Sequence, residues 1–224
     1  MIVFDPVKHA YTNSFTGDSY TSVTTLLGQF KPEFDADKFS RIVAERKGIS
    51  QQDVLNEWKT NNKAAQDYGT QLHKTIEEYA KTGIFEDKDK DIIEAYREIG
   101  NYTVKDGALF ETCVYNHEHK IAGTADIILP NGPYFDVYDF KTNKKFNYFS
   151  KYEKYMLGPV SHLPDCEYSS YCLQLSLYAY NYHIMTGRKV RCLKILYWDR
   201  DEKKFEVIPM PFLLQDIKNI LATR

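Results

Sequence analysis

Residues 121–141 read IAGTADIILPNGPYFDVYDFK, and the fold is decided here. Two apolar runs, Ile121–Leu129 and Tyr134–Lys141, flank Asn131-Gly132-Pro133, a turn signal between two strands. Side chains alternate along a strand, so Asp139 and Lys141 share one face while Phe140 takes the other and can anchor the strand in a core. Asp126, one hairpin earlier, can reach the same end of the sheet. Two carboxylates held together bind a hard cation through oxygen. A lysine beside them can orient or deprotonate a water and stabilise charge on a phosphate. A bound cation acidifies water and polarises a phosphodiester. Taken alone, Asp-x-Lys on a strand is also compatible with a solvated edge carrying a surface salt bridge.

Working outward, Ala108–Tyr115 completes a three-strand meander through the turn at His117-Glu118-His119. Downstream, Ser169–Thr186 reads as a strong helix stopped by Gly187, followed by strands Val190–Asp199 and Phe205–Met210 and a helix Phe212–Leu221. The first 100 residues read as mostly helical after a small hairpin. In that hairpin Phe4–Tyr11 and Ser19–Thr21 flank a turn at Thr16-Gly17-Asp18. Ser22 or Thr21 can cap a helix carrying Val23, Leu26 and Leu27. Further helices are expected from Asp35 to the Lys47-Gly48 stop, from Ser50 through Val54, Leu55 and Trp58, from Ala64 to Lys81, and from Asp87 to Gly100. The order predicts one α/β domain over 1–224, with a helical N-terminal part over 1–100 and an α/β core over 101–224. Residues 146–168, rich in tyrosine and broken by Gly158-Pro159 and Pro164, read as an insertion in that core.

Other residues keep company with the strand motif. His73 lies in Gly69-Thr70-Gln71-Leu72-His73, where a Gly-Thr helix entry brings the chain close to a neighbour. Its imidazole can complete a carboxylate cation site, or pair with Glu77 one turn away. Glu111 on the first meander strand can support the site or stand in water at a strand edge. Gln174 and Tyr178 share a face of the strong helix, where a glutamine needs hydrogen-bond partners. It could hold Lys141 or a substrate phosphate, or simply sit at the edge of the core beside a buried tyrosine. In 146–168 and just before it, Tyr148, Tyr152 and Tyr155 alternate with Lys144, Lys145, Lys151 and Lys154. Interleaved aromatic and basic residues suit a single nucleic-acid strand; a loop docked by its tyrosines is the equal alternative.

Composition narrows the classes. With 224 residues, 43% hydrophobic and 27% charged, the chain has the balance of a soluble globular protein. Its apolar runs are too short to span a bilayer, and Met1-Ile2-Val3-Phe4-Asp5 carries no signal-peptide pattern, so no membrane association and a cytoplasmic location are expected. The net charge of −2 argues against a sequence-independent nucleic-acid coat more than against an enzyme with a local basic channel. The four cysteines, Cys113, Cys166, Cys172 and Cys192, include no C-x-x-C pair and are expected as free thiols. No Ser-His or Cys-His nucleophile arrangement stands out.

Taken in order, Gly69-Thr70-x-x-His73-x-x-x-Glu77, Glu111, Gly123-Thr124-x-Asp126, Asp139-Phe140-Lys141-Thr142 and Gln174-x-x-x-Tyr178 resemble the RecB-like exonuclease branch of the PD-(D/E)XK nuclease superfamily. Ser22-Val23-Thr24-x-x-Leu27 is similar to the entry segment of mitochondrial genome-maintenance exonucleases and small phage exonucleases. The resemblance implies a mixed central sheet flanked by helices (a restriction-endonuclease-like core). It implies Mg²⁺ or Mn²⁺ held by His73, Asp126, Asp139 and the Phe140 carbonyl, with Lys141 as the motif lysine. Gln174 and Tyr178 then support Lys141 and the DNA, and residues 22–100 guide a single strand. The activity implied is metal-dependent hydrolysis of DNA, preferring single-stranded ends, in repair or recombination. If the chain is phage-encoded, its compartment is the host cytoplasm. Some relatives hold an iron–sulfur cluster with one upstream cysteine and three grouped near the C-terminus. That pattern is absent, so no cluster is expected. A structure-specific endonuclease and a catalytically inactive nucleic-acid-binding module of the same fold are the alternatives.

Overall fold

The computed structural model describes residues 1–5 and 10–224. Three short strands, β1 (Ile2–Asp5), β2 (Ala10–Asn13) and β3 (Ser19–Ser22), open the chain. Helices α1 (Val23–Gly28), α2 (Ala36–Lys47), α3 (Gln51–Thr82) and α4 (Lys90–Glu98) follow. The meander β4 (Leu109–Asn116), β5 (Ile121–Asn131) and β6 (Tyr134–Lys141) leads to α5 (Glu167–Thr186), β7 (Lys189–Asp199), β8 (Lys204–Met210) and α6 (Leu214–Leu221). The strands form one mixed sheet in the order β1-β2-β3-β5-β6-β7-β8, with β4 paired to β5. The β3–β5 and β6–β7 pairs are parallel and the others antiparallel. A parallel β6–β7 pair needs a crossover, and α5 supplies it.

Alternation along the strands sends apolar side chains into two cores. On one face Phe135 and Val137 pack with α1, α5 and α6 through Leu26, Leu173, Leu177 and Ile217. On the other, Tyr138 and Phe140 pack with Leu72 and Ile76 of α3 and Ile93 and Tyr96 of α4. Each fully buried Leu, Ile or Phe contributes about 1.5–3 kcal/mol. Helix α5 lies so deep that its buried residues fall on several faces, from Cys172 and Leu173 to Ala179 and Tyr182. The mixed α/β class is thus as the sequence predicts, with helices on both faces of the sheet.

Three readings need correction. Phe4–Tyr11 is not one strand: β1 and β2 pair antiparallel with Phe4 opposite Tyr11, and residues 6–9 of that expectation lie outside the described residues. The helices expected from Ser50 and from Ala64 are one helix, α3, of 32 residues. Between them Lys59-Thr60-Asn61-Asn62-Lys63 is exposed or half-exposed and lacks an apolar stripe, yet contains no glycine or proline to end a helix. Its caps are those expected, Ser50 accepting from the Asp53 N–H and Gly83 in the left-handed region. Gly69 is likewise inside α3 rather than at a helix entry.

The β6–β7 pairing shifts register between Phe135 and Asp136, and an ion pair between buried Asp136 and half-exposed Arg191 sits there. Arg191 donates to Asp136 through Nε at 2.7 Å and Nη2 at 2.5 Å, and the Tyr138 hydroxyl adds a bond at 3.2 Å. Burial opposes the Asp136 charge, but Arg191 with its neighbours holds the carboxyl below its ordinary range. Arg191→Ala should therefore lower stability in urea unfolding at pH 7, an effect moderated because the arginine is half-exposed. The folded pKa is depressed, so this contribution is present above the unfolded value of about 3.9 and is lost as pH falls through the folded one. The gap between variant and parent should close below about pH 4.

Candidate metal centre and its surroundings

Strands β5 and β6 pair from Asn131–Tyr134 to Ile127–Tyr138, and there the ladder ends. Beyond that point β6 stays with β7 through Lys141, while β5 continues beside β4 to Ile121 and meets β3 at Ile121 and Ala122. Asp126 is the first residue in the fork. Its Oδ2 accepts the Phe140 backbone N–H at 2.7 Å, so a carboxylate replaces the missing ladder bond. On the other edge of β5, pairing skips from Thr112–Ala125 to Phe110–Ile127. The residue passed over, Glu111, has φ 44°, a left-handed conformation that costs a non-glycine residue on the order of 1–3 kcal/mol. The sheet is thus opened on both sides of Asp126.

His73 reaches the fork from α3, on the opposite face from α5. Its ring meets Phe140 edge-on at 5.5 Å, and Nδ1 lies 3.5 Å from Asp126 Oδ2 and 3.6 Å from Glu111 Oε1. The ligating atoms of His73, Glu111 and Asp126 all lie within 4.8 Å of one another. Glu77 pairs with Lys81 instead. Gly69, one turn before His73, lets α3 approach the end of β6, for a Cβ there would stand 3.2 Å from Thr142 Oγ1.

Asp139 and Lys141 share the α5 face, as strand alternation requires. Lys141 Nζ is ion-paired with Asp139 Oδ2 and stands 4.8 Å over the Tyr171 ring. The Asp139 side chain is buried, and beyond Lys141 its Oδ2 takes no hydrogen bond. Electrostatics mark the cluster. Burial opposes charge on His73, but Asp126, Glu111 and Asp139 outweigh it and lift the imidazole to about 9. Burial and the nearby Asp139 push Asp126 up to about 7, against the pull of His73. Burial also disfavours the Lys141 ammonium, yet Asp139 and Asp126 raise its pKa. Three carboxylates thus face one imidazole and one ammonium. Oxygen donors with an imidazole suit a hard divalent cation, and His73, Glu111 and Asp126 gather that donor set here, while Asp139 Oδ2 is engaged by Lys141.

The remaining candidates fall around this centre. Gln174 Nε2 donates to the Tyr178 hydroxyl at 2.9 Å. The Tyr178 ring lies on Gly123 so closely that a Cβ there would be 2.5 Å from it. Burial and Asp139 keep the Tyr178 phenol well above its ordinary pKa. Phe140 contributes its ring to the α3–α4 core and its N–H to Asp126. Tyr171 is absent from the sequence reading. It precedes Gln174 by three positions and so shares its helix face, and that spacing was the available signal. Its hydroxyl reaches Asn143 Oδ1 at 3.2 Å.

Residues 146–168 are tethered by Met156 and Val160 in the core, with Phe146, Leu163 and Tyr168 packed against it. The Leu157 N–H donates to the Phe30 carbonyl at 2.7 Å, and Met156 to Leu163 at 2.9 Å. Lys144, Lys145, Tyr148, Phe149, Tyr152 and Tyr155 stay exposed. Tyr148 stacks obliquely on Phe146 at 4.9 Å, and Phe146 on Tyr171 at 5.7 Å, so rings lead from this ridge to Lys141. The four cysteines are free thiols. Among the described residues no helix is long and apolar enough to cross a membrane.

No family model and no curated protein matches the chain. Among solved structures, that of SSO0001 is similar at 14% identity and a TM-score of 0.37, over 91% of this chain and 75% of that one. A chain from Eubacterium rectale, named "Putative exonuclease", is similar at 13% identity and a TM-score of 0.42, over 92% of this chain and 78% of that one.

Proposed function

We propose that the chain is a divalent-metal-dependent deoxyribonuclease that works from DNA ends and prefers single strands. The observation that carries this reading is the fork at Asp126, where His73, Glu111 and Asp126 bring ligating atoms within 4.8 Å of one another, close to buried Asp139 and its ion pair with Lys141. The ordered resemblance of the motifs to RecB-like exonucleases agrees with it.

His73, Asp126, Asp139 and the Phe140 carbonyl are assigned to Mg²⁺ or Mn²⁺, with Glu111 supporting or holding a second ion. When bound, such a cation supplies positive charge to a phosphate and acidifies water. Lys141, kept as an ammonium by Asp139 and Asp126, suits orienting water and balancing charge on phosphate oxygens better than accepting a proton. Tyr171 limits where that ammonium can go, and Gln174 with Tyr178 walls the site on the α5 side. Lys144 and Lys145 attract the phosphate backbone, while Tyr148 and Tyr152 offer stacking faces for unpaired bases. Duplex DNA keeps its bases stacked and has less use for such rings.

Two outcomes are expected. With Mg²⁺ or Mn²⁺, end-labelled linear single strands should be degraded while covalent circles survive. Asp126→Ala and Asp139→Ala should abolish the reaction, and Lys141→Ala should lower it at least 100-fold while leaving cation binding measurable. Cutting of circles would identify an endonuclease instead; full activity in Lys141→Ala would refute the mechanism. Cation affinity, followed by calorimetry, should rise from pH 6 to pH 9, because His73 titrates near 9 and Asp126 near 7 and both must lose protons to bind. Proton release on binding at pH 7 should be smaller in His73→Ala than in the parent chain, measured at saturating cation.

A further inference from the structure

The β6–β7 ladder ends at Lys141 and Tyr197, yet the next two carbonyls of the chain are still held from the β7 side. Arg200 Nη2 donates to the Thr142 carbonyl at 3.1 Å, and the Tyr197 hydroxyl to the Asn143 carbonyl at 2.8 Å. The Arg200 guanidinium also lies over the Tyr68 ring of α3, its Cζ 3.6 Å from the ring centre. Its Nε is buried and meets no acceptor among the described residues, so the group is held by its plane and by Nη2. Trp198 Nε1 donates to the Tyr68 hydroxyl at 2.8 Å and fixes the ring from β7. Asp199 steadies the turn that carries Arg200, its Oδ1 accepting the Asp201 and Glu202 N–H groups at 2.9 and 3.0 Å. One guanidinium therefore joins the end of β6 to α3. A planar cation can stack on a ring and donate from its edge at once; an amide lacks the charge and an ammonium the plane.

The joint sits where α3 needs one. Residues 59–67 of this 32-residue helix are exposed, and Tyr68, the next residue, is half-buried against the α3–α4 core. His73 follows little more than one turn later, and Thr142 adjoins Lys141. We propose that Arg200 is a positioning residue of the metal centre: stacked on Tyr68 and bonded to the Thr142 carbonyl, it sets the distance between His73 on α3 and Lys141 on β6. The proposal rests on the nuclease reading for what those two side chains do. Without the joint, motion of the exposed length of α3 passes on to His73, and the end of β6 is free to part from it. A misplacement of about 1 Å in such a cluster can cost about 100-fold in rate.

Single-turnover cleavage of a linear single strand with Mn²⁺ tests this in Arg200→Gln, with Tyr68→Leu removing the other half of the stack. Each should lower the rate at saturating strand by about tenfold or more, with the half-saturating strand concentration changed less than about twofold. In a Lys141→Ala background Arg200→Gln should lower the rate far less. Equal losses in the two backgrounds, as general destabilisation gives, would overturn the inference. So would weaker strand binding at an unchanged rate, the mark of a strand contact. A second readout needs no cleavage. Bound Mn²⁺ broadens the NMR signals of nuclei near it, steeply with proximity. Saturating Mn²⁺ should broaden the Lys141 side-chain signal in the parent chain and less so in Arg200→Gln. Equal broadening in both sinks the positioning role even if DNA is cleaved; a difference in a chain that cleaves no DNA sinks only the nuclease reading.

Discussion

The parting of β5 and β6 at Asp126 is the constraint on which the site depends. A continuous ladder would pair the Phe140 N–H with a backbone carbonyl and leave Asp126 opposite a neighbouring side chain. Here the carboxylate itself takes that N–H, so its position is fixed by the backbone and not by a rotamer alone. The gap also lets His73, from the helix layer on one face, meet a carboxylate within reach of Asp139 on the other. Glu111 completes the opening at the price of a left-handed backbone. A cluster of imidazole and carboxylates between two helix layers, able to hold a cation, follows from one interrupted ladder.

Electrostatics give that opening its chemistry. Buried carboxylates are costly unless compensated, and this cluster compensates with one imidazole and one ammonium. The raised pKa values of His73 and Asp126 express the same imbalance from its two sides: one holds a proton longer and the other readily takes one. A divalent ion is a stronger answer to three carboxylates than a shared proton. The Tyr171 ring beneath Lys141 keeps the remaining charge near the α5 wall.

Much of this was legible in the sequence because it is periodic. Alternation alone placed Asp139 and Lys141 together with Phe140 behind them, and the glycine and serine caps marked most helix ends. The course of α3 was misread because apolar periodicity reports burial, and its middle touches little. The division of Phe4–Tyr11 between β1 and β2 was missed although that run carries Asp5-Pro6, a pair that disfavours a continuous strand. Within the site, residue types gave His73, Asp126 and the DFK segment. The left-handed Glu111, the cation–π contact of Tyr171 and the close approach of Tyr178 to Gly123 arise from packing between distant segments. Only the i, i+3 spacing of Tyr171 and Gln174 hinted at one of them. The tether of 146–168 turned on Met156 and Val160, two apolar residues in a segment whose tyrosines drew attention first.

The central claim is that the fork is a cation site. Crystals grown with Mn²⁺ and measured near the manganese absorption edge test it most directly. The account predicts an anomalous peak within bonding distance of His73, Asp126 and Asp139, lost in Asp126→Asn. A peak confined to other residues, or none at millimolar Mn²⁺, would contradict it.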